Sequence, residues 1–339
     1  MVFRLENRQT IHSLTSLKGI FIWIIVLHNT FLLDTVLDHL PGMPFIRLFG
    51  GSLGNSMFFM LSGFLMALGY REKIAQRQIS FEDFLCRRLK KLYPMYALSN
   101  IAALLLNVWQ YGISAVNLKK IAFTFLLMQG GGLEAGNPYN SPTWFVSALM
   151  VCYVVYFAGA CLAKNRAAYR VMLAAGVGIG YYLCSAEWNV PACYPGNGVA
   201  YLNFFLGCIL AEVYPQIKYC RSLLKPACVF AVAGSLYLMM RYGVEVISGG
   251  SATAFSFVIC PMVLYLAYEE GLCRRVLEWK PMLYLGNISM GVFYWHLVVY
   301  IALRHLLGGM TQVWYGVYLL TVLLAAALTE RGSRKTANV

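Results

Sequence analysis

Leu17–Leu33, LKGIFIWIIVLHNTFLL, decides how this chain is read. Its second residue is a lysine, Lys18; nine uncharged residues follow from Gly19 to Leu27, and then a histidine. A helix that crosses a membrane needs about 20 mainly apolar residues, with a range of about 17–25. Comparable runs follow at Gly51–Tyr70, Leu92–Trp109, Pro142–Ala163, Tyr169–Ala186, Val199–Tyr214, Leu224–Met240, Ala252–Tyr268, Leu283–Leu306 and Gln312–Thr329. Composition agrees with them. The 339 residues are 60% hydrophobic and 12% charged, with mean hydropathy +0.63. Soluble domains carry about 25% charged and about 45–50% apolar residues, so too few charges remain here to coat a water-soluble particle. Disordered, collagenous and disulfide-scaffold classes fail too, because apolar and aromatic residues (20 Phe, 23 Tyr, 7 Trp) dominate throughout. The expected fold is all-α: a polytopic transmembrane helical bundle of about ten spans, with residues 1–339 forming a single membrane-embedded domain.

Loop charge orients the bundle. With the N-terminus inside, every one of the 27 lysines and arginines except Arg47, Lys119, Lys120, Arg241 and Arg304 falls on the inner side. The positive-inside rule expects that asymmetry, which places the N-terminus and the C-terminus in the cytoplasm. A further run, Ile121–Gly132, is short, and a full crossing there would invert every later loop. Residues 110–141 are therefore read as an outer re-entrant or interfacial segment, and 71–91 as a basic inner loop. Trp109, Trp144, Trp188 and Trp314 near outer span ends, with Trp279 near an inner one, suit an aromatic belt. The net charge of +13 lies in short clusters between apolar runs, a pattern that fits contact with membrane lipid and no nucleic acid. The 10 cysteines show no CxxC or Cys/His spacing, so no metal site is expected. The first span has no small-residue cleavage site after it and is read as a retained helix.

Ionisable groups inside a bilayer mark function, because their desolvation must be compensated. His28 lies ten residues beyond Lys18, about 15 Å along a helix. If Lys18 marks the inner boundary of a core about 30 Å thick, His28 lies near its middle, as a neutral imidazole facing the bundle interior. Such a group serves either as a general base for a hydroxyl or as a hydrogen-bonding link between helices. FLCRRLKKLYP (84–94) puts Arg87, Arg88, Lys90 and Lys91 just before a span, with Lys91 one helical turn from both arginines. That fork suits a multiply phosphorylated ligand or, equally, lipid headgroups. Asn55, Ser62 and Gly69 share one face of the second span, the usual pattern of close helix packing. Ser289, Phe293 and His296 share a face of the ninth.

Five strings in order resemble the acyltransferase-3 family of bacterial membrane proteins: LTSLKGIFIWIIVLHNTF (14–31), MFFMLSGFLMALGY (57–70), FLCRRLKKLYPMY (84–96), NSPTWFVSALMVCYVVY (140–156) and YLGNISMGVFYWHLVV (284–299). The first carries Lys18 where the family usually has arginine, and the third reads Arg88-Leu89-Lys90-Lys91 where it usually has Arg-x-x-Arg.

The resemblance implies a multi-pass enzyme of the bacterial cytoplasmic (inner) membrane, an acyltransferase that moves an acyl group, most plausibly acetyl, from acyl-CoA to a hydroxyl of a cell-surface or lipid-linked saccharide. It implies no permanently bound cofactor; acetyl-CoA enters as co-substrate. Lys18, Arg87, Arg88 and Lys91 would hold the nucleotide phosphates, and the pantetheine arm would pass along the first two helices to His28, the general base. Asn55, Ser62 or Ser147 would donate to the developing oxyanion. Asn140, Trp144 and Tyr153 would line the acceptor mouth, with Ser147 and His296 also on the substrate side. Asp34 lies on another face and offers His28 no carboxylate partner. A saccharide exporter of the same family, without acyl transfer, and a non-catalytic scaffold are the alternatives. The oligomeric state is left open.

Overall fold

A computed structural model describes residues 8–31, 42–130, 136–186, 188, 190–242 and 253–337. Asp34, Leu32–Leu33, Gly131–Gly132 and Ala252 lie outside the described residues, as do Arg4 and the side chains of Arg8, Lys218, Arg331, Arg334 and Lys335. The structure is a helical bundle. Its helices are α1 (Arg8–Phe31), α2 (Met43–Ala75), α3 (Phe81–Tyr111), α4 (Leu118–Phe125), α5 (Trp144–Leu162), α6 (Arg166–Ser185), α7 (Pro195–Ile217) and α8 (Arg221–Tyr242). After a π-helical turn at Phe255–Ile259 come α9 (Cys260–Tyr268), α10 (Leu272–Leu277), α11 (Lys280–Asn287), α12 (Ser289–Leu307) and α13 (Gln312–Ala337).

Among the described residues, eight helices are long and apolar enough to cross a membrane: α2, α3, α5 with the turn before it, α6, α7, α8, α12 and α13. The other two expected spans fall on α1 and on the π turn with α9, which together make a shorter apolar helix, Phe255–Tyr268. α1 holds the apolar run Gly19–Leu27 between Lys18 and the polar pair His28 and Asn29.

Local signals set the helix ends. Ser80 accepts from Asp83 N at 3.1 Å to cap α3, and Glu82 and Asp83 in the first turn complement the helix dipole. Asn165 caps α6 in the same way, accepting from Ala168 N at 2.8 Å. α4 is only 8 residues long, far short of a crossing, and exposes Leu118.

Several boundaries differ from expectation. α2 runs on to Ala75 and α3 begins at Phe81, so most of the expected inner loop 71–91 is helical and only 76–80 connects the two helices. α2 starts at Met43, well before Gly51, because Arg47 interrupts the apolar pattern without interrupting the helix. The expected span Leu283–Leu306 breaks at Ile288 into α11 and α12. The break lets α11 press Gly286 onto the backbone of Thr15 in α1, where a Cβ would collide.

α2 is the central post, packed against α7 on one side and α1 on another. Its contact with α7 is backbone to backbone: a methyl on Gly63 would strike the Phe204 carbonyl, and one on Gly207 the Met60 carbonyl. This is small-residue packing, but it runs through Gly63; Gly69, on the face expected to pack, meets nothing within 4 Å. The contact with α7 frees the opposite face of α2 to meet α1 and α5.

Candidate active site

His28 stands near the end of α1, facing the N-terminal half of α2. Its Nδ1 lies 3.1 Å from the carbonyl oxygen of Ile46. A carbonyl only accepts, so Nδ1 carries the proton and Nε2 keeps its lone pair. The carboxylate partner missing from the sequence is replaced by this main-chain oxygen, supplied by the stretch of α2 that precedes Gly51. The imidazole rests on two glycines: a Cβ on Gly51 would lie 2.5 Å from Nε2, and one on Gly50 would lie 3.0 Å from the His28 Cβ. No larger residue fits under the ring.

A cavity of about 260 Å³ opens at this point, walled by His28, Asn29, Ser52, Asn55, Ser141 and Trp144 among others, with Phe293 on its α12 side. Among the described residues nothing bonds His28 Nε2, which shares the cavity with amides, hydroxyls and an indole. Such a set can hydrogen-bond hydroxyl groups through its amides and offer an indole to a ring. Asn29 is held from behind: its Nδ2 donates to His296 Nε2 at 3.0 Å. His296, fully buried, turns its own Nδ1 to Phe293 O at 2.7 Å.

A second cluster sits at the far end of α2. The Arg88 guanidinium lies 4.4 Å over the Tyr70 ring and 5.7 Å from the rings of Phe84 and Tyr153. Its Nε is buried and, among the described residues, has no hydrogen-bond partner. A buried, unpaired donor on a charged group is costly, so an anionic oxygen is the natural completion of this nest. Lys91 interacts with Arg88 and Tyr70, and Lys18 with Lys91, so the three cations gather at one end of the bundle. Arg87 faces outward and is exposed.

The two sites are separate. None of Lys18, Arg87, Arg88 and Lys91 lines the His28 cavity. Between Asn55 and Ser62 on α2 stand Phe58 and Phe59, both buried. Phe59 packs on Phe145 at 4.2 Å between centroids, and Phe145 on Phe293 at 5.9 Å. The open passage expected along the first two helices is filled here by rings, because three apolar faces from α2, α5 and α12 converge at that level.

Other expected placements also shift. Tyr153 is nine residues beyond Trp144, about 14 Å along α5, so it lies under Arg88 rather than at the acceptor mouth. Ser62 lies within reach of the Tyr153 hydroxyl, and Ser147 is fully buried beside Tyr96; neither lines the His28 cavity. Asn140 donates from Nδ2 to Tyr294 O at 2.8 Å and receives no place in the cavity wall; it pins the loop before α5 to α12. His296 touches Asn29 rather than the cavity. Asn55 and Trp144 do line it. Asn29, Ser52 and the glycine pair were not singled out from sequence, although Asn29 is the very next residue after His28.

Comparison with known proteins matches residues 11–331 to a family model described as an acyltransferase domain. The O-acetyltransferase OatA of Staphylococcus aureus is 21% identical over 337 aligned residues, covering 86% of this chain and 55% of OatA. An O-acetyl transferase of Shigella phage Sf6 is 26% identical over 195 residues, covering 51% of this chain and 56% of that protein. The chain thus spans about half the length of the curated relatives it matches. No solved structure matches it. The family match includes both ends of α2, and with it α1, α3, α5 and α12; on that ground the chain belongs to the acyltransferase-3 family.

Proposed function

We propose that this protein is an O-acetyltransferase of the bacterial cytoplasmic membrane, moving acetyl from acetyl-coenzyme A to a hydroxyl of a cell-surface or lipid-linked saccharide. The observation that carries the reading is the His28 tautomer. Its proton is committed to Ile46 O, and its lone pair lies in a cavity of amides, hydroxyls and an indole.

In this reading His28 Nε2 takes the proton of an acceptor hydroxyl as the oxygen attacks the thioester carbonyl. The Asn55 amide, on the same wall, donates to the oxyanion that forms. Collapse of that intermediate breaks the carbon–sulfur bond, and the imidazolium returns its proton to the departing thiolate. Arg88, with its unpaired Nε, binds a phosphate of the nucleotide, and Lys91 and Lys18 add charge at that end, which faces the cytoplasm. The charged part of the donor thus stays outside the low-dielectric layer. Phe58, Phe59 and Phe145 part to admit the uncharged arm and close after it, which also keeps water from the thioester.

The test is vectorial. Purified protein in sealed vesicles receives labelled acetyl-coenzyme A on the Arg88 side and a panel of saccharides on the other. Label on a saccharide hydroxyl supports the reading. Saccharide flux without label identifies an exporter and overturns it.

A further inference from the structure

At the same end of α2, beyond Arg88, three arginines from two helices meet one buried carboxylate. Glu212 on α7, its side chain 3% exposed, is bound by Arg71 of α2, by Arg166 Nε at 2.6 Å and by Arg170 Nε at 3.1 Å, both of α6. Arg71 also lies 4.8 Å over the Tyr169 ring. One acid offsets one cation, so the cluster keeps an excess of two positive charges. Arg166 and Arg170 donate to Glu212 only through Nε, their side chains are 54% and 52% exposed, and among the described residues their terminal nitrogens bond nothing. Next to them a groove of about 530 Å³ runs between α6 and α7, walled by Arg170, Glu212 and Gln216 and by the apolar side chains of Leu173, Ile209 and Val213.

We propose that this groove is a binding site for an anionic phospholipid, with the phosphodiester on the outer nitrogens of Arg166 and Arg170 and an acyl chain along Leu173, Ile209 and Val213. Glu212 is the orienting group: it fixes both guanidinium planes so that their free edges present a fork, the geometry in which arginine binds phosphate best. The apolar wall selects lipid over a soluble phosphate, since a free anion gains nothing from leucine, isoleucine and valine. Depth agrees as well, because the cluster joins the last turns of α2 and α7 to the first of α6, where headgroups lie. Arg71, the least exposed of the three at 29%, completes the neutralisation of Glu212 and is not part of the fork. The site is independent of the His28 chemistry and uses none of its residues.

The test uses the intact protein in nanodiscs of phosphatidylcholine, with and without phosphatidylglycerol. Arginines are labelled with phenylglyoxal and read by peptide mass spectrometry. Phosphatidylglycerol is expected to shield Arg166 and Arg170 while Arg87, exposed at the same end, labels alike in both lipids. Equal labelling of Arg166 and Arg170 in the two lipids overturns the proposal. So does equal shielding by glycerol phosphate added to phosphatidylcholine discs, which identifies a soluble-anion site instead. In Arg166→Gln/Arg170→Gln, Glu212 retains Arg71, and affinity for phosphatidylglycerol titrated onto the protein in uncharged detergent micelles should fall about 25-fold, at about fivefold for each cation near an anionic surface. Undiminished affinity contradicts the assignment. The shielding measurement on the unmodified protein stands whether or not that variant folds.

Discussion

Asn29 Nδ2 and His296 Nε2 lie 3.0 Å apart and tie α1 to α12 beside the His28 cavity. Because His296 Nδ1 is engaged by Phe293 O, Nε2 is the accepting nitrogen, and the histidine works as a clamp on an amide that faces the acceptor. His296→Ala and Asn29→Ala should each lower acetyl transfer about tenfold. Asn29→Ala leaves the buried His296 nitrogen unpaired, at about 1–3 kcal/mol of stability, whereas His296→Ala frees a half-buried amide that the cavity can hydrate. The double variant should be no worse than the singles, because both remove one interaction. Strictly additive losses in a double-mutant cycle, read by turnover and thermal unfolding, would show that His296 acts elsewhere.

Gly51 and Gly63 sit on the same helix and predict opposite outcomes. Gly51→Ala sets a methyl against His28 Nε2. Turnover should fall about 100-fold, the scale of loss from misplacing a reacting group by about 1 Å, with melting temperature nearly unchanged. Gly63→Ala drives a methyl into the Phe204 main chain, which cannot yield as a side-chain tip can. It should destabilise the bundle by about 1–3 kcal/mol or more and reduce the yield of folded protein. If Gly51→Ala transfers acetyl normally, the tight seat of the imidazole is not a catalytic requirement.

Arg88 tests the donor site. Arg88→Lys keeps the charge but loses the planar contact with Tyr70 and the buried Nε. The Michaelis constant for acetyl-coenzyme A should rise about tenfold, while the rate at saturation changes little, because the residue binds the donor far from the reacting atoms. A fall in kcat with KM unchanged would move Arg88 out of the nucleotide site.

Phe59→Ala tests the ring layer. Removing a fully buried ring costs about 3–5 kcal/mol. In protein that still folds, the gap should let water reach the thioester, so hydrolysis of acetyl-coenzyme A without acceptor should rise above the unmodified protein's. An unchanged hydrolysis rate, with acetyl transfer intact, would place the donor's route elsewhere.

The all-helical membrane bundle is legible in the sequence because apolar runs and loop charge are averages over many residues, and single errors cancel. His28 stands out because an imidazole is rare in hydrocarbon, and Arg88 and Lys91 because they belong to a dense basic cluster just before an apolar run. What the sequence hides is pairwise. The His28 partner is a carbonyl, invisible in any residue code, and it belongs to a turn of α2 that the apolar run at Gly51 leaves out. Tyr153 and Trp144 look alike as aromatic residues of one helix, and only the rise along α5 separates the Arg88 cluster from the His28 cavity. The Glu212 cluster draws on α2, α6 and α7, residues far apart in the chain that no spacing rule connects.

The most direct test of the account is the turnover of His28→Ala in vesicles with labelled acetyl-coenzyme A and an accepting saccharide, measured beside its melting temperature and its affinity for the donor. The account predicts a fall of about 10²–10⁴-fold in label transferred, the usual contribution of a positioned base, with folding and donor binding unchanged. Transfer by the folded variant at the unmodified rate would contradict it.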